Sequence, residues 1–330
     1  MPQFQTIGII GKSGDPERVT PTLERLVRHL GQRGRTVLCD ATSTALLGRP
    51  AALAHSGEDL GRRCDLAVVI GGDGTLLGAA RTLAAFNVPL VGINLGRLGF
   101  LADVSPEQIE GGLDRILDGA YAEEARCLLS ARLAAGGPPD AQTVSVTAGP
   151  SAQITEQEPL LALNDVVIHK WNTARVIEFE TYIDGTFVNA QRSDGIIIST
   201  PTGSTAYALS GGGPLVHPSL DVIVLVSICP HTLSNRPLVV PGDSRIEIRI
   251  AGLDQGHVHV TCDGQTNQAS GPRARVLVRK APKPARLLHP EGHDHYAILR
   301  AKLGWGGHVP TRTESQCKDP STMNPAAGAC

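Results

Sequence analysis

The sequence predicts a protein of two parts, an α/β domain with a parallel sheet followed by a β-rich domain. Over the first 125 residues, short apolar runs alternate with segments whose apolar residues recur at helical spacing, which is typical of a parallel sheet covered by helices. From residue 126 onward, strand-like runs separated by turn sequences dominate. We therefore place the α/β domain at 1–125, the β-rich domain at 126–303 and a flexible tail at 304–330. The second domain can return to the first near its end.

The elements of the first domain follow from these patterns. Continuous apolar runs predict buried strands over 6–10, 36–40, 66–70 and 89–94. Helical spacing predicts helices over 16–30, 76–83 and 106–117, and we expect helix and loop over 42–61. Ligands of such folds bind at the carboxyl ends of the strands. The turns after 66–70 and 89–94 therefore mark the expected site.

The turn after the third of these strands is Gly71, Gly72, Asp73, Gly74 and Thr75. A glycine-rich turn between a strand and a helix brings backbone N–H groups close to a ligand phosphate, at the positive end of the helix dipole. A carboxylate repels phosphate, so the aspartate is expected to face a hydroxyl as a general base, or a metal ion. The alternative is a tight turn in which the aspartate only caps the helix.

The second half contains strand-like runs over 127–133, 161–169, 176–183, 195–199, 223–228, 246–250, 257–261 and 275–279. The pairs Asp184-Gly185, Pro241-Gly242 and Asp263-Gly264 supply turns between them. The segment 134–158 is rich in Gly, Pro and Ala, and we expect a long connection without a functional role there.

A hydroxyl-rich stretch, STPTGSTAYALSGGGP, covers 199–214. Its hydroxyls and backbone amides can surround phosphates and riboses without charge. A flexible linker is the alternative, and Pro201, Tyr207 and Leu209 argue against it. Just upstream, Arg192 and Asp194 could serve a phosphate and a hydroxyl, or could pair with surface neighbours.

Asn164 and Asp165 lie inside the apolar run predicted as one strand. Adjacent side chains on a strand point to opposite faces, so at least one of the two is expected to be buried and hydrogen-bonded. A ligand hydroxyl or amide would satisfy it. An internal turn or bulge would do so equally well.

Composition excludes several classes of protein. A net charge of −2 and 3% aromatic residues give no reason to expect a nucleic acid or a membrane surface as partner. Seven scattered cysteines without a CxxC pair fit neither a disulfide framework nor a zinc site. No secretory leader or apolar span of ~20 residues is found, so a cytoplasmic location is expected. His293 and His295 form a short polar cluster that could bind a metal ion, but a solvated surface position is expected and no metal site is predicted.

In their order and spacing, GGDGT (71–75), ND (164–165) and TPTGSTAY (200–207) resemble the NAD kinase family. CPHTLSNRPLVVP (229–241) and DGQ (263–265) are similar to two further blocks of that family, so that the resemblance covers 7–303. It implies a Rossmann-like α/β domain, a β-sandwich, and NAD bound between them. It also implies transfer of phosphate from ATP, or from polyphosphate, to the 2′-hydroxyl of the adenosine ribose of NAD. Mg²⁺ with ATP, no tightly bound prosthetic group, and a homodimer or homotetramer belong to the same expectation.

Residue by residue, the resemblance implies that Asp73 is the catalytic base and that the amides of Gly71, Gly72 and Thr75 hold phosphates. The positions it implies for contact with NAD are Asp73, Gly74, Asn164, Asp165, Arg175, Arg192, Asp194, Thr205, Ala206, Tyr207, Ala208, Leu209, Ser210 and Gln265. One departure from the family is Gly78, where many relatives carry Arg or Lys.

Three alternatives remain. Other kinases with a GGDG turn act on lipids or sugars, but no clear membrane-facing element is present. An NAD-dependent dehydrogenase would need G-x-G-x-x-G after the first strand, and IIGKSG (9–14) does not supply it. A non-catalytic sensor of NAD would not need a base at Asp73.

Overall fold

The structure is a computed structural model that describes residues 4–96, 99–102, 104–134, 158–171, 176–251, 258–270 and 273–305. Arg175, most of the connection predicted over 134–158, and the predicted tail beyond Trp305 lie outside these residues. The chain divides into two compact units, Met1–His293 and Asp294–Cys330. In the second unit the structure describes one helix, His295–Leu303, whose N-terminus is capped by the side chain of Asp294. None of the described helices has the length and apolar character needed to cross a bilayer.

The first sheet of the larger unit has seven strands. Six come from the first half of the chain and one from its end: β1 Thr6–Gly11, β2 Thr36–Asp40, β3 Ala54–His55, β4 Leu66–Gly71, β5 Leu90–Asn94, β6 Tyr121–Arg126 and β19 Ala285–Pro290. Their spatial order is β3-β2-β1-β4-β5-β19-β6. The first five are parallel to their neighbours, and β19 is parallel to β5 but antiparallel to β6. The predicted parallel sheet is therefore confirmed.

Helices cover both faces of this sheet. They are α1 Pro16–Gln32, α2 Ala41–Leu46, α3 Gly57–Arg63, α4 Asp73–Leu83 and α5 Ile109–Leu117. Strand β4 is buried along its whole length because alternate residues enter two cores. Val68 and Ile70 pack with apolar residues of α1 and α5, while Ala67 and Val69 pack with those of α3 and α4.

The β-rich half is a sandwich of two six-stranded antiparallel sheets. Its strands are β7 Leu129–Ala134, β8 Leu160–Ala162, β9 Asp165–Lys170, β10 Ile177–Ile183, β11 Thr186–Ser193, β12 Gly195–Ser199, β13 Val222–Ile228, β14 Leu238–Pro241, β15 Ile246–Ile250, β16 Val258–Cys262, β17 Thr266–Ala269 and β18 Arg275–Lys280. The sheet orders are β11-β10-β15-β18-β7-β8 and β14-β13-β12-β9-β16-β17. One apolar core that includes Phe179, Ile198 and Ile248 joins the two sheets, so the β-rich half of the prediction is also confirmed.

Two predicted strands need correction. The run 161–169 is two strands, β8 and β9, in different sheets of the sandwich, and the chain breaks between them at Leu163 and Asn164. The run 127–133 is β7 alone, beginning at Leu129, and the strand before it, β6, belongs to the seven-stranded sheet of the α/β half. Leu163 explains the first break because its side chain is fully buried with α4 residues in the core of the α/β half, not in the sandwich.

Candidate active site

Asp73 is the first residue of helix α4, directly beyond the carboxyl end of β4. The N-cap position belongs to Gly72, so the aspartate is not the capping residue that the alternative assumed. Its carboxylate instead accepts hydrogen bonds from the backbone N–H groups of Phe100, at 2.8 Å, and Leu101, at 3.2 Å. A β-carbon at Gly99 would lie 2.1 Å from Oδ1 of Asp73, so a glycine is required where this loop approaches the carboxylate. The loop after β5 thus holds the carboxylate in place.

The glycine turn has a lysine beside it that sequence reasoning did not select. The backbone N–H of Lys12 donates to the carbonyl of Ile70 at 2.8 Å, which continues the pairing of β1 with β4. A β-carbon at Gly71 would lie 3.1 Å from Cβ of Lys12 and 2.5 Å from Oγ1 of Thr75. The lysine side chain therefore begins next to the backbone groups expected to hold phosphate. The signal was present in the sequence, since Lys12 lies two residues beyond the end of the first predicted strand.

Asp263 organises the break between β8 and β9. Its side chain is fully buried, and its carboxylate accepts from the backbone N–H groups of Leu163, at 3.1 Å, Asn164, at 2.7 Å, and Asp165, at 3.3 Å. Arg81 of α4 donates to the same carboxylate through Nη1. The N–H groups of Leu163 and Asn164 bind this side chain and not a neighbouring strand, and β9 begins only at Asp165, so the predicted strand is interrupted here.

A chain of hydrogen bonds runs from this turn to the glycine turn. Nη2 of Arg81 donates to Oε1 of Gln265 at 2.6 Å, and Nε2 of Gln265 donates to the carbonyl of Gly74 at 2.7 Å. Gln265 follows the β16–β17 hairpin turn, where Asp263 and Gly264 have φ values of 53° and 63°. Gly74 and Gln265, which were predicted separately, are therefore in direct contact.

A cavity of about 580 Å³, whose lining includes several polar side chains, opens beside the Asp263 turn. A volume of this size is ordinary for a small-molecule site. Five residues of the predicted set line it, namely Asn164, Asp165, Asp194, Ala206 and Tyr207. Its lining also contains Val167, His169, Lys170, Ile228, Thr261, Asp263 and Gly264, which were not predicted as contacts.

Asp165 is the buried acid of this cavity, with only 4% of its surface exposed. Its pKa is raised to about 7 by desolvation first and by the nearby charge of Asp263 second, and a hydrogen bond from the backbone of Tyr207 partly opposes both. Across the cavity, Asp194 pairs with Lys170 at 2.5 Å. The site therefore holds one carboxyl group poised to titrate near neutrality and one that a cation neutralises.

The hydroxyl-rich stretch is an ordered loop, not a linker. Oγ1 of Thr200 donates to the carbonyl of Leu163 at 2.6 Å, and its N–H donates to that of Asn164 at 2.8 Å. Oγ of Ser204 donates to the carbonyl of Pro201 at 2.7 Å and accepts from the N–H of Val216 at 3.0 Å. Several of its hydroxyls therefore hold the loop against the turn at 163–164, a use that sequence reasoning did not foresee.

The remaining predicted residues of this loop lie around helix α6, Tyr207–Ser210. Ala208 is fully buried against the outer face of the β12–β13 pair, so its side chain is not available to a ligand. Oγ1 of Thr205 donates to the carbonyl of Thr202 at 3.2 Å. Leu209 and Ser210 complete the helix but do not line the cavity.

Of the two predicted arginines, the structure describes only Arg192. Arg192 is exposed on β11, where its Nε lies 3.0 Å from Oε1 of Glu178, and it is not among the cavity residues. Arg175 lies outside the described residues. Their contact with a ligand stays a prediction.

A glycine turn at a helix N-terminus, a carboxylate held beside it and a cavity connected to it by hydrogen bonds are the parts expected of a nucleotide-binding phosphotransferase. Comparison with known proteins gives the family. Residues 7–121 match the model of the ATP-NAD kinase N-terminal domain, and residues 163–290 match that of the ATP-NAD kinase C-terminal domain. The chain belongs to the ATP-NAD kinase family, as its motifs predicted.

Individual relatives agree over nearly the whole chain. The NAD kinase of Hahella chejuensis is 48% identical over 305 residues, which are 92% of this chain and 97% of the relative. That of Chromohalobacter salexigens is 48% identical over 312 residues, or 94% and 99%.

Solved structures extend the similarity to the fold. Yeast NADH kinase complexed with NADH superposes with a TM-score of 0.78 at 24% identity, covering 95% of this chain and 91% of that one. An NAD kinase from Archaeoglobus fulgidus in complex with ATP has a TM-score of 0.68 at 26% identity, covering 91% and 99%. The predicted two-domain fold is confirmed.

Proposed function

We propose that this chain transfers the γ-phosphoryl group of ATP to the 2′-hydroxyl of the adenosine ribose of NAD, with Asp73 as general base. The observation that supports this most directly is the hydrogen-bonded path from the Asp73 turn to the cavity. It runs through Gly74, Gln265, Arg81 and Asp263 to the backbone of the cavity residues. These hydrogen bonds hold the proposed base and the proposed nucleoside site in a fixed position relative to each other, as phosphoryl transfer requires.

The cavity is the proposed site for the adenosine half of NAD. Asn164 and Asp165 lie in its lining together with Tyr207, whose ring is 46% exposed and can cover a base. Asp165 can exchange a hydrogen bond with a ribose hydroxyl or an adenine nitrogen in either protonation state, since its pKa of about 7 makes both forms accessible. The remaining predicted contacts, including Arg175 and Arg192, belong to this proposal without support from the described geometry.

The phosphates of ATP are proposed to lie at the N-terminus of α4. Backbone N–H groups of Gly71 and Gly72 and the helix dipole favour negative charge there. The N–H of Thr75, which was predicted with them, already donates to the carbonyl of Gly72 at 3.0 Å. Lys12 adds a mobile cation beside them. The divalent cation enters as part of the MgATP substrate, and polyphosphate is the alternative donor.

In the reaction, the bond from the 2′-oxygen to the γ-phosphorus forms while the bond from that phosphorus to the bridging β–γ oxygen breaks. The hydroxyl proton passes to the carboxylate of Asp73, and ADP leaves with the electron pair of the broken bond. An alcohol with a pKa near ~15 is a poor nucleophile, so a positioned carboxylate contributes about 10²–10⁴-fold. Family membership favours NAD as acceptor over a lipid or a sugar.

The test compares Asp73→Asn with wild type for NADP formation from NAD and MgATP. A matched control is Asp65→Asn, because Asp65 also accepts two backbone hydrogen bonds, from Gln5 and Thr6, but lies at the opposite end of β4. We expect a loss of about 10²–10⁴-fold for Asp73→Asn only, with NAD still bound. Activity that survives Asp73→Asn would rule out Asp73 as the general base. Wild type that binds NAD but forms no NADP would be a sensor of NAD.

A homodimer or homotetramer and a cytoplasmic location stay proposals from the family resemblance. Sedimentation of the purified chain would distinguish the two assemblies from a monomer.

A further inference from the structure

Away from the proposed active site, one carboxylate faces two imidazoles where β19 leaves the first sheet. Glu124 lies on β6, His289 on the neighbouring β19, and His293 three residues after that strand ends. Nε2 of His289 lies 3.5 Å from Oε2 of Glu124, and Nε2 of His293 lies 3.8 Å from Oε1. The side chains of the two histidines are only 2% and 8% exposed. His293, which sequence reasoning placed at the surface beside His295, is therefore largely buried.

The spacing of these atoms suits a metal ion. One ligand atom from each of the three side chains can be chosen so that all lie within 4.8 Å of one another. Bonds of about 2.0–2.1 Å at tetrahedral angles would separate neighbouring ligand atoms by about 3.3–3.4 Å. The observed 3.5 and 3.8 Å reach different oxygens of Glu124. With one carboxylate oxygen as ligand, the three atoms, which lie within 4.8 Å of one another, draw together to about 3.4 Å around a central ion.

The surroundings orient the carboxylate as a ligand. Nε of Arg126, two residues along β6, donates to Oε2 of Glu124 at 2.9 Å. This contact leaves Oε1 turned toward His293. Metal-binding carboxylates are usually held by such an outer hydrogen bond.

The two imidazoles lie beside the same carboxylate. The rings of His289 and His293 stack with centroids 4.0 Å apart, and their Nε2 atoms lie 3.5 and 3.8 Å from Oε2 and Oε1 of Glu124. Two nitrogen ligands and one carboxylate are thereby brought to one place.

We propose that Glu124, His289 and His293 form a binding site for a divalent transition metal, with Zn²⁺ the ion that two imidazoles and one carboxylate favour. The site would be structural, since it ties the exit of β19 to β6. Arg126, which donates to Glu124, also contacts the hydroxyl-rich loop, because its Nη1 lies 3.4 Å from Oγ1 of Thr202. The proposal does not depend on the reaction proposed above.

The test uses the full chain, freed of metal by a chelator and then titrated with Zn²⁺. We expect one equivalent to bind and the melting temperature to rise by about 5–10 °C at a hundredfold excess over the dissociation constant. His293→Gln and Glu124→Gln should each weaken binding by about 100-fold or more, since even outer-shell partners are worth about 10–100-fold. The control His217→Gln changes an exposed histidine bonded to Ser219 and should bind Zn²⁺ as wild type does.

Two readouts keep the proposal falsifiable. Melting of each metal-free variant shows whether it folds, so that a failure to bind is not mistaken for unfolding. Absorption of Co²⁺ in place of Zn²⁺ distinguishes nitrogen and oxygen ligands from cysteine thiolates. Wild type that binds no Zn²⁺, folded variants that bind it unchanged, or a thiolate signature would each overturn the site.

Discussion

Arg81 of α4 forms an ion pair with the fully buried carboxylate of Asp263 in the β16–β17 turn. The pair crosses from the α/β half to the sandwich, and 182 residues separate its members in sequence. The carboxylate simultaneously fixes three backbone groups at 163–165. One ion pair therefore positions both the glycine turn, through Gln265, and the wall of the cavity.

Removal of Arg81 should destabilise the protein strongly. Arg81→Met leaves Asp263 as an uncompensated buried charge, which typically costs about 3–5 kcal/mol of the free energy of unfolding. The matched control is Arg62→Met on α3, whose ion pair with Glu58 is exposed and is worth about 0–1 kcal/mol. Urea unfolding of both variants measures the difference, and equal midpoints would contradict it. The double variant Arg81→Met/Asp263→Asn should be more stable than Arg81→Met alone, since the buried negative charge of Asp263 is removed.

A methyl group at Gly99 should lower turnover without touching any substrate site directly. Its β-carbon would lie 2.1 Å from Oδ1 of Asp73, so Gly99→Ala must displace the proposed base. We expect kcat to fall by about tenfold or more with NAD affinity retained, because misplacement by about 1 Å can cost about 100-fold. Gly96→Ala in the same loop is the control, since the nearest atom, Oδ1 of Asn94, is 4.0 Å away. Equal kcat values for the two variants would rule out this positioning.

The burial of Asp165 should make stability fall as pH rises. Its pKa is raised from 3.8 to about 7, so the folded protein binds more protons than the unfolded chain between these values. The resulting stabilisation is fully present below pH 3.8 and is lost as pH rises through about 7. Asp165→Asn should remove this loss. The free energy of unfolding of the variant should therefore rise relative to that of wild type as the pH increases from 5 to 8. A difference between the two proteins that stays constant across this range would contradict the prediction.

Lys12 should contribute to binding of the phosphoryl donor. Lys12→Ala removes the cation beside Gly71. A hydrogen bond to a charged group is worth about 1.5–3 kcal/mol, so KM for MgATP should rise roughly ten- to hundredfold while KM for NAD changes little. Lys283→Ala is the control because Nζ of Lys283 donates to the carbonyl of Ala85 instead. An unchanged KM for MgATP would remove Lys12 from the proposed phosphate site.

Much of the fold could be predicted because buried strands and helices have a characteristic spacing of apolar residues in the sequence. Strand β12 was predicted with its observed bounds, and β4 to within one residue, since both are buried along their whole length and contain an unbroken apolar run. Strands β11 and β17 were missed because they lie at sheet edges, where one side pairs and most side chains are polar. Their sequences carry little of the alternation that marks a half-buried strand.

The sequence by itself determined the parallel sheet, the turn that carries Asp73, the β-rich second half and the family. Each of these depends on residues close together in the chain, whose spacing or motif is visible without coordinates. Only the tertiary structure decided that Leu163 and Asn164 break a strand, that Arg81 and Gln265 connect two turns, and that His293 packs on His289. These arrangements join residues that are distant in sequence, and their energies arise from burial and charge that exist only after the halves have packed together.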